Sequence, residues 1–279
     1  MPTLCQHENP SMLFAYSRHE AAPQSWFTLH VHGHLELLYF VSGDAMFQIE
    51  SSNYSMTPHT LMIARPMEAH KMNMLSDAVY ERFVLNVDPQ LIREFDPTGR
   101  LLRPFYNRPL GQGNAFSADE FGPLKPMDLF LAMCRPGLTA EQRRVDILTY
   151  LFPLLGQLAE VFDARQEHAA PPVDKQSYRV VEYVNRHLFD ELSLESLSDE
   201  FFISPSQLSR MFKQATGSSV WNYILRKRLV AARRQLQSGQ SAAFVCSTCG
   251  FRDYSSFYRA YKKEFGCSPG QDLSRRSSR

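Results

Sequence analysis

Two patterns of apolar positions divide the chain. Between residues 26 and 87, short apolar runs alternate with turn-forming residues and show no helical period, which predicts an antiparallel barrel or sandwich. The run "LELLYFVSGDAMFQIE" predicts a hairpin that turns at residues 42–44. The runs "YSMTPHTLMIARP" and "YERFVLNV" predict further strands. Beyond residue 139, apolar positions recur at helical spacing instead.

A long helix is predicted to begin after Thr139, where Gln142 three residues later completes a capping box. Its apolar positions share one helical face. Such a face either packs on its own domain or forms a dimer seam, and both interpretations stay open. The face consists of Leu148, Leu151, Phe152, Leu155, Leu158 and Phe162.

The polar segment "RQEHAAPPVDKQ", with its paired prolines, predicts a linker over residues 166–176. It separates a first domain, residues 1–165, from a second, residues 177–279. The predicted fold class is therefore α+β with two domains. An antiparallel β-barrel comes first, and an all-α domain with two helix-turn-helix motifs follows.

The second domain contains an internal repeat. The segment "SPSQLSRMFKQATG" from Ser204 aligns with "DYSSFYRAYKKEFG" from Asp253, which begins 49 residues later. Each unit has a capping side chain, an apolar fifth residue, Arg-x-aromatic-Lys and a closing glycine, as expected of a capped helix. A shorter helix and a tight turn precede each unit. Helix, turn, helix, twice over, is typical of DNA-binding proteins.

Apolar spacing predicts which side of each repeated helix faces outward. The outward side chains include arginine, which binds guanine bidentately, serine, which contacts bases or phosphates, and lysine, which neutralises phosphate. About twenty residues between the units predict a helical rod of roughly 30 Å, close to the spacing of about 34 Å between successive major grooves. The alternative is an ordinary solvated helix face. The predicted DNA-binding residues are Ser206, Ser209, Arg210, Lys213, Tyr254, Ser255, Ser256, Tyr258, Arg259 and Lys262.

Charge is distributed unevenly between the two parts of the chain. The whole chain carries a net charge of +1, but residues 174–279 hold 17 Lys and Arg against 10 Asp and Glu, a net of +7. The first 173 residues therefore carry −6. A basic C-terminal part indicates that this part alone meets a polyanion.

Residues 178 to 273, including "CGFRDYSSFYRAYKKEFGCSP", closely resemble the DNA-binding domain of the AraC/XylS family of bacterial transcription regulators. The resemblance implies that Ser206, Ser209 and Arg210 occupy base-reading places in the first motif. It implies the same of Tyr254, Ser255, Ser256, Tyr258 and Arg259 in the second. Duplex operator DNA, RNA polymerase and a second copy of the chain are the expected macromolecular partners. Departures from the usual pattern are Ser198 and Cys246 in place of alanine, Phe244 in place of a polar residue and Asp272 in place of an aromatic.

Histidines cluster at the start of the strand-rich region, in "HVHGHLELLYFVSG". Residues two apart in a strand share a face, so His30, His32, His34 and Glu36 are expected to point the same way. Their spacing, together with the later His70, resembles the two motifs of cupins, small antiparallel barrels that hold ligands or metals. Proteins of the AraC type commonly carry such a barrel ahead of the DNA-binding domain.

Three interpretations of His30, His32, Glu36 and His70 stay open: an effector pocket, a divalent metal site and satisfied polar groups of a closed core. We expect the effector pocket, with no cofactor, and a hydroxyl-rich sugar fits its chemistry. Trp26, Tyr39 or Phe47 would then offer stacking surface. Against a metal, the second motif has Glu68 where glycine is usual. The alternative function is a metal-dependent cupin enzyme, or a metal sensor, joined to a DNA-binding domain.

Several functional classes receive no support from the sequence. The chain shows no glycine loop that would cradle phosphate and no Ser-x-x-Lys or Gly-x-Ser-x-Gly element, so we expect no enzyme. The N-terminus lacks the basic and apolar pattern of a secretory signal, and no apolar run is long enough to predict a membrane span. Five scattered cysteines fit a reducing cytoplasm.

Overall fold

The computed structural model describes residues 3–20, 29–166 and 176–274. The chain separates into two compact units. The first comprises Met1–Thr28 and His34–Val173, and the second comprises Leu29–Gly33 and Asp174–Arg279. Apart from its two end residues, the predicted linker at 166–176 lies outside the described residues.

The first unit is built on two antiparallel sheets, which confirms the fold class predicted for it. One sheet has the order β1-β2-β8-β3-β6-β9 and the other the order β5-β4-β7. The strands are β1 Thr3–Asn9, β2 Met12–His19, β3 Leu35–Ser42, β4 Ala45–Ile49, β5 Ser52–Ser55, β6 Thr60–Ala64, β7 His70–Met74, β8 Tyr80–Val87 and β9 Ala115–Ser117.

The predicted hairpin between β3 and β4 is wrong. β3 pairs on one edge with β6 and on the other with β8, so no edge is left for β4. β4 pairs instead with β5 and β7 in the second sheet. The turn at Gly43, with φ +140°, therefore carries the chain from one sheet to the other. A Cβ there would lie 3.2 Å from the rings of Phe40 and Tyr80, so glycine fits this crossing best.

β3 contributes to two separate cores because its side chains alternate between the two faces of the sheet. Leu35, Leu37 and Tyr39 belong to the core that includes the helices of this unit. Leu38 and Phe40 belong to the core between the two sheets, with residues of β4, β6 and β7. Glu36 shares the face of Leu38, which places this carboxyl group between the sheets.

Helices cover the outer face of the six-stranded sheet. They are α1 Pro89–Phe95, α2 Arg103–Tyr106, α3 Pro126–Met133 and α4 Ala140–Gln166. The predicted capping box is confirmed, since the backbone N–H of Thr139 donates to Gln142 Oε1 at 2.9 Å and that of Gln142 donates to Thr139 Oγ1 at 3.2 Å. Among the described residues, α4 is the helix with the length and hydropathy to span a bilayer. Leu151, Leu155 and Leu158 are buried in the core of the unit, as expected of a core helix.

The second unit is helical. Its elements are α5 Gln176–Arg186, α6 Leu194–Phe201, α7 Pro205–Thr216, α8 Val220–Gln237, α9 Ala242–Thr248, α10 Tyr254–Phe265 and α11 Pro269–Ser274. The pairs α6–α7 and α9–α10 are the two predicted helix-turn-helix motifs. α8 connects them and contacts α7, α9 and α10.

Candidate DNA-binding surface and ligand site

The two repeated helices, α7 and α10, begin and end in the same way. Ser204 Oγ accepts a hydrogen bond from the backbone N–H of Gln207 at 3.3 Å, and Asp253 Oδ1 accepts one from that of Ser256 at 2.7 Å. This bond holds the pKa of the Asp253 carboxyl below its usual value. Gly217 and the equivalent Gly266 close the helices in the left-handed conformation, at φ 72° and 70°. The caps that the repeat predicts are confirmed.

The side of α7 predicted to face outward is accessible to solvent. Leu208 and Phe212 are buried beneath the helix. Ser206, Arg210 and Lys213 are exposed, and Ser209 is half-buried. One hydroxyl-bearing residue and two cations therefore project from one face of the helix, an arrangement suited to a phosphate-flanked groove.

α10 repeats this arrangement with larger side chains. Phe257 and Tyr261 are buried, and Phe265 is half-buried. Arg259 Nη2 donates to Ser256 Oγ at 3.4 Å, which links two of the outward groups. The predicted contact residues of this helix are all exposed: Tyr254, Ser255, Ser256, Tyr258, Arg259 and Lys262.

The rod between the motifs is slightly shorter than predicted. α8 has 18 residues, which corresponds to about 27 Å at 1.5 Å per residue. It begins at the cap Ser219, whose hydroxyl accepts from the backbone N–H of Asn222. Leu229 and Leu236 bury one face of the rod in a core shared with α9 and α10. The second motif is thus packed directly against the rod.

The turns inside the two motifs differ, which the sequence repeat did not predict. In the first, Phe202 adopts the left-handed conformation at φ 54° and is 94% exposed. In the second, Gly250 is left-handed at φ 76°. A Cβ on Gly250 would meet the carbonyl oxygen of Phe189 at 2.7 Å and Arg228 Cζ at 2.9 Å. The second turn therefore requires glycine, whereas the first leaves room for a phenylalanine at a conformational cost.

Asp272, a departure from the family pattern, is integrated into the core of the second motif. The hydroxyl of Tyr261 donates to Asp272 Oδ2 at 2.6 Å, and Arg233 Nε lies 3.1 Å from the same oxygen. Burial and the bond to this carboxylate raise the pKa of Tyr261. Asp272 thus ties α11 to α8 and α10. Ser198 and Cys246 are buried, whereas Phe244 is half exposed.

Glu36 and His70 lie together between the two sheets of the first unit. His70 Nε2 is 3.4 Å from Glu36 Oε2, and both side chains are buried. Burial alone would lower the pKa of His70, but the adjacent Glu36 carboxylate raises it above the usual value. The ring of Phe47 stacks on that of His70, with the ring centroids 5.6 Å apart. Tyr39 does not reach this site, because it lies on the opposite face of β3 and bonds to His59.

His30 and His32 lie in the segment that precedes β3. The strand predicted to carry them is wrong for residues 31–34, since regular pairing begins only at Leu35. The centroids of their rings are nevertheless 5.8 Å apart. Imidazole and carboxylate groups suit a divalent ion as well as a hydroxyl-bearing ligand. Trp26 lies outside the described residues.

Glu68, which stands where cupins usually have glycine, binds neighbouring residues through its carboxylate and contacts His70 through its backbone carbonyl. Its carboxylate accepts from Arg108 Nη1 at 2.8 Å and Nη2 at 2.7 Å. It also accepts from the backbone N–H of Gly111 at 2.7 Å and of Arg65 at 3.0 Å. Burial alone would raise the pKa of Glu68, but Arg108 lowers it below the usual value. The Glu68 carbonyl lies 2.8 Å from His70 Nδ1, which directs Nε2 toward Glu36.

Comparison with known proteins agrees with a strand-rich first domain that is followed by a helix-turn-helix domain. Residues 14–115 match the AraC-like ligand binding domain, and residues 197–275 match a helix-turn-helix domain. The chain is 24% identical over 259 residues to the HTH-type transcriptional activator RhaS of Yersinia pseudotuberculosis serotype I (strain IP32953), covering 89% of each protein. It is 30% identical over 190 residues to the uncharacterized HTH-type transcriptional regulator YobQ of Bacillus subtilis (strain 168), covering 66% of this chain and 73% of that one.

Among solved structures, ToxT from Vibrio cholerae O395 is 12% identical, with a TM-score of 0.40, and the match covers 95% of this chain and 98% of that one. Sequence match, domain order and the paired helix-turn-helix motifs lead to one assignment. The chain is a member of the AraC family of DNA-binding transcription regulators, with an N-terminal ligand-binding domain.

Proposed function

We propose that this regulator reads two segments of duplex DNA with α7 and α10, in response to a small molecule bound in its first domain. The observation that carries the proposal is the recurrence of one capped helix, with Arg210 and Arg259 at equivalent outward places. The net charge of +7 on residues 174–279 favours a polyanionic partner. The rod of about 27 Å suits two reading helices in successive major grooves.

We propose that Glu36 and His70, together with His30 and His32, contact a hydroxyl-rich effector such as a sugar. Imidazoles and a carboxylate can share hydrogen bonds with several hydroxyl groups. If a divalent ion occupies the same groups, it supplies a Lewis acid that polarises an effector oxygen. The protein acts as a regulator and not as an enzyme, because the site is paired with a DNA-binding domain.

RNA polymerase and a second copy of the chain are the further partners in this proposal, and the cytoplasm is its place of action. Support for a dimer comes from α4, where Val145 is exposed and Leu148 and Phe152 are half-buried. Apolar groups of this kind on one helix favour pairing with a second helix. Sedimentation equilibrium of the wild type and of Val145→Glu tests whether the chain forms a dimer through this face of α4.

The DNA-binding proposal is tested by selecting binding sites from random duplex DNA. Arg210→Ala and Arg259→Ala should each cost about 1–3 kcal/mol of binding free energy and relax base preference in one segment of the site. Arg186→Ala, on an exposed arginine of α5 paired with Glu182, serves as the control. If both variants select the unchanged consensus, these arginines do not read bases.

The effector proposal is tested with Glu36→Gln, which keeps the shape of the side chain and removes its charge. The variant should lose the effector response while its affinity for the selected DNA stays within about twofold of wild type. Metal analysis of the untreated protein distinguishes the two occupants. If metal analysis finds one stoichiometric ion, a metal and not the effector is the ligand of these four residues.

A further inference from the structure

The inward faces of β2 and β8 carry polar groups in addition to Glu36 of the neighbouring β3. Val84 of β8 belongs to the core between the sheets, whereas Phe83 and Leu85 belong to the outer core. By alternation, Arg82 and Asn86 therefore face inward with Val84. On β2, Met12 and Phe14 belong to the outer core, so Ala15, Ser17 and His19 face inward as well.

One end of this face carries a positive charge among neutral groups. Ser17 is paired with Arg82 across the two strands, and His19 with Tyr80. Arg82 Cζ lies 5.4 Å from the centroid of the Tyr80 ring, and the His19 ring stacks on Tyr80 at 6.2 Å. Burial and the proximity of Arg82 lower the pKa of His19, which favours its neutral form. Among the described residues of β2 and β8 that face inward, Arg82 is the one whose side chain is always positively charged.

The other end carries groups suited to hydroxyls. Asn86 is paired with Glu36 across β8 and β3, and His70 Nε2 lies 3.4 Å from that carboxylate. Between the two ends, Ala15 is paired with Val84. Two small apolar side chains thus lie between a cationic end and an end suited to hydroxyl groups.

The separation of the two ends sets the size of a ligand that would touch both. Asn86 lies four positions after Arg82 in β8, which is about 14 Å along an antiparallel strand. Because side chains lean along the strand and each hydrogen bond takes about 3 Å, roughly 8–10 Å is left for the ligand. A six-carbon polyhydroxy compound with a terminal acid group has this length.

We propose that the effector is a sugar acid whose carboxylate binds Arg82 and Ser17 and whose hydroxyls reach Asn86, Glu36 and His70. This inference rests on the proposed effector function of the first domain and names the chemical class of the effector. The guanidinium group forms a charge-assisted pair with the carboxylate. A neutral sugar of the same shape lacks that pair and binds more weakly.

The test is calorimetric titration of the full-length protein with matched acidic and neutral sugars: D-galacturonate against D-galactose, and D-glucuronate against D-glucose. Wild type should bind one acid at least about tenfold more tightly than its neutral partner. Arg82→Gln should remove that preference and leave the affinity for the neutral sugar within about twofold. Arg18→Gln, on an exposed arginine of β2 paired with Glu20, should retain it.

A second variant covers the case in which Arg82→Gln does not fold. Ser17→Ala removes one hydroxyl from the acid-binding end and should weaken binding of the acid about three- to tenfold and binding of the neutral sugar by less. Equal or tighter binding of the neutral sugar by wild type would overturn the inference, as would the absence of binding by both acids. Neither result touches the DNA-binding proposal, which the selection experiment tests separately.

Discussion

Replacing Arg108 with methionine should strongly destabilise the first domain. The substitution keeps a long side chain but removes the two hydrogen bonds to Glu68, at 2.8 and 2.7 Å. Glu68 would keep its bonds from the backbone of Gly111 and Arg65, yet its buried charge would lose its counter-ion. Breaking one partner of a buried ion pair costs about 3–5 kcal/mol. For a domain of this size, the loss corresponds to a fall in Tm of roughly 6–20 °C.

The pH dependence of this loss identifies its cause. In the wild type, Arg108 holds the pKa of Glu68 below its usual value, so the stability from the pair is present above the ordinary carboxyl pKa. It is lost as pH falls through the folded-state pKa. Without Arg108, burial raises the pKa of Glu68, and acid protonates and relieves the buried carboxylate. The stability gap between wild type and Arg108→Met should therefore be larger at pH 7 than at pH 4.5.

Urea unfolding of the full-length protein, followed by circular dichroism at both pH values, measures the gap. The double variant Glu68→Gln/Arg108→Met should recover part of the loss, because it has no buried charge left to compensate. A gap below about 1 kcal/mol at pH 7, or an equal gap at the two pH values, would refute the reasoning.

The turns of the two helix-turn-helix motifs and the domain division give the remaining predictions. Phe202→Gly should raise the unfolding free energy of the second domain by about 1 kcal/mol, since it relieves a left-handed phenylalanine; thermal unfolding that shows no gain contradicts this. Gly250→Ala should lower it by about 1–3 kcal/mol in the same assay, because the added Cβ meets backbone at 2.7 Å; a neutral effect would mean that this turn adjusts freely. A fragment from residue 174 onward should fold and bind DNA with an affinity that falls steeply with salt, measured by fluorescence anisotropy from 50 to 200 mM; a flat salt response would argue against phosphate contacts.

The features that could be predicted from the sequence depend on residues close together in the chain. The caps at Ser204 and Asp253 satisfy backbone groups two or three residues away, so a short motif is enough to place them. The same holds for the capping box at Thr139. β8 was predicted with its observed bounds because its alternating apolar pattern reflects one buried face and one mixed face.

The features that could not be predicted depend on pairing between distant residues. Whether β3 pairs with β4 or with β6 and β8 depends on sheet assembly, and a glycine-containing turn is compatible with both outcomes. The ion pair of Glu68 with Arg108 joins residues 40 apart, and no local pattern predicts it. The inward polar face of β2 was missed because the first strands lie in a stretch for which no strand was predicted.

Because α8 connects both helix-turn-helix motifs within one chain, the DNA site has a particular symmetry. A homodimeric helix-turn-helix protein places two identical helices on a two-fold axis, and its operator is accordingly palindromic. Here α7 and α10 belong to one chain, and α7 has Pro205 and Ser209 where α10 has Tyr254 and Tyr258. Because the two helices carry different side chains, one chain should recognise two different segments in a fixed order. Such a site has a direction. The order of its two segments along the DNA determines which way the bound regulator points along the promoter.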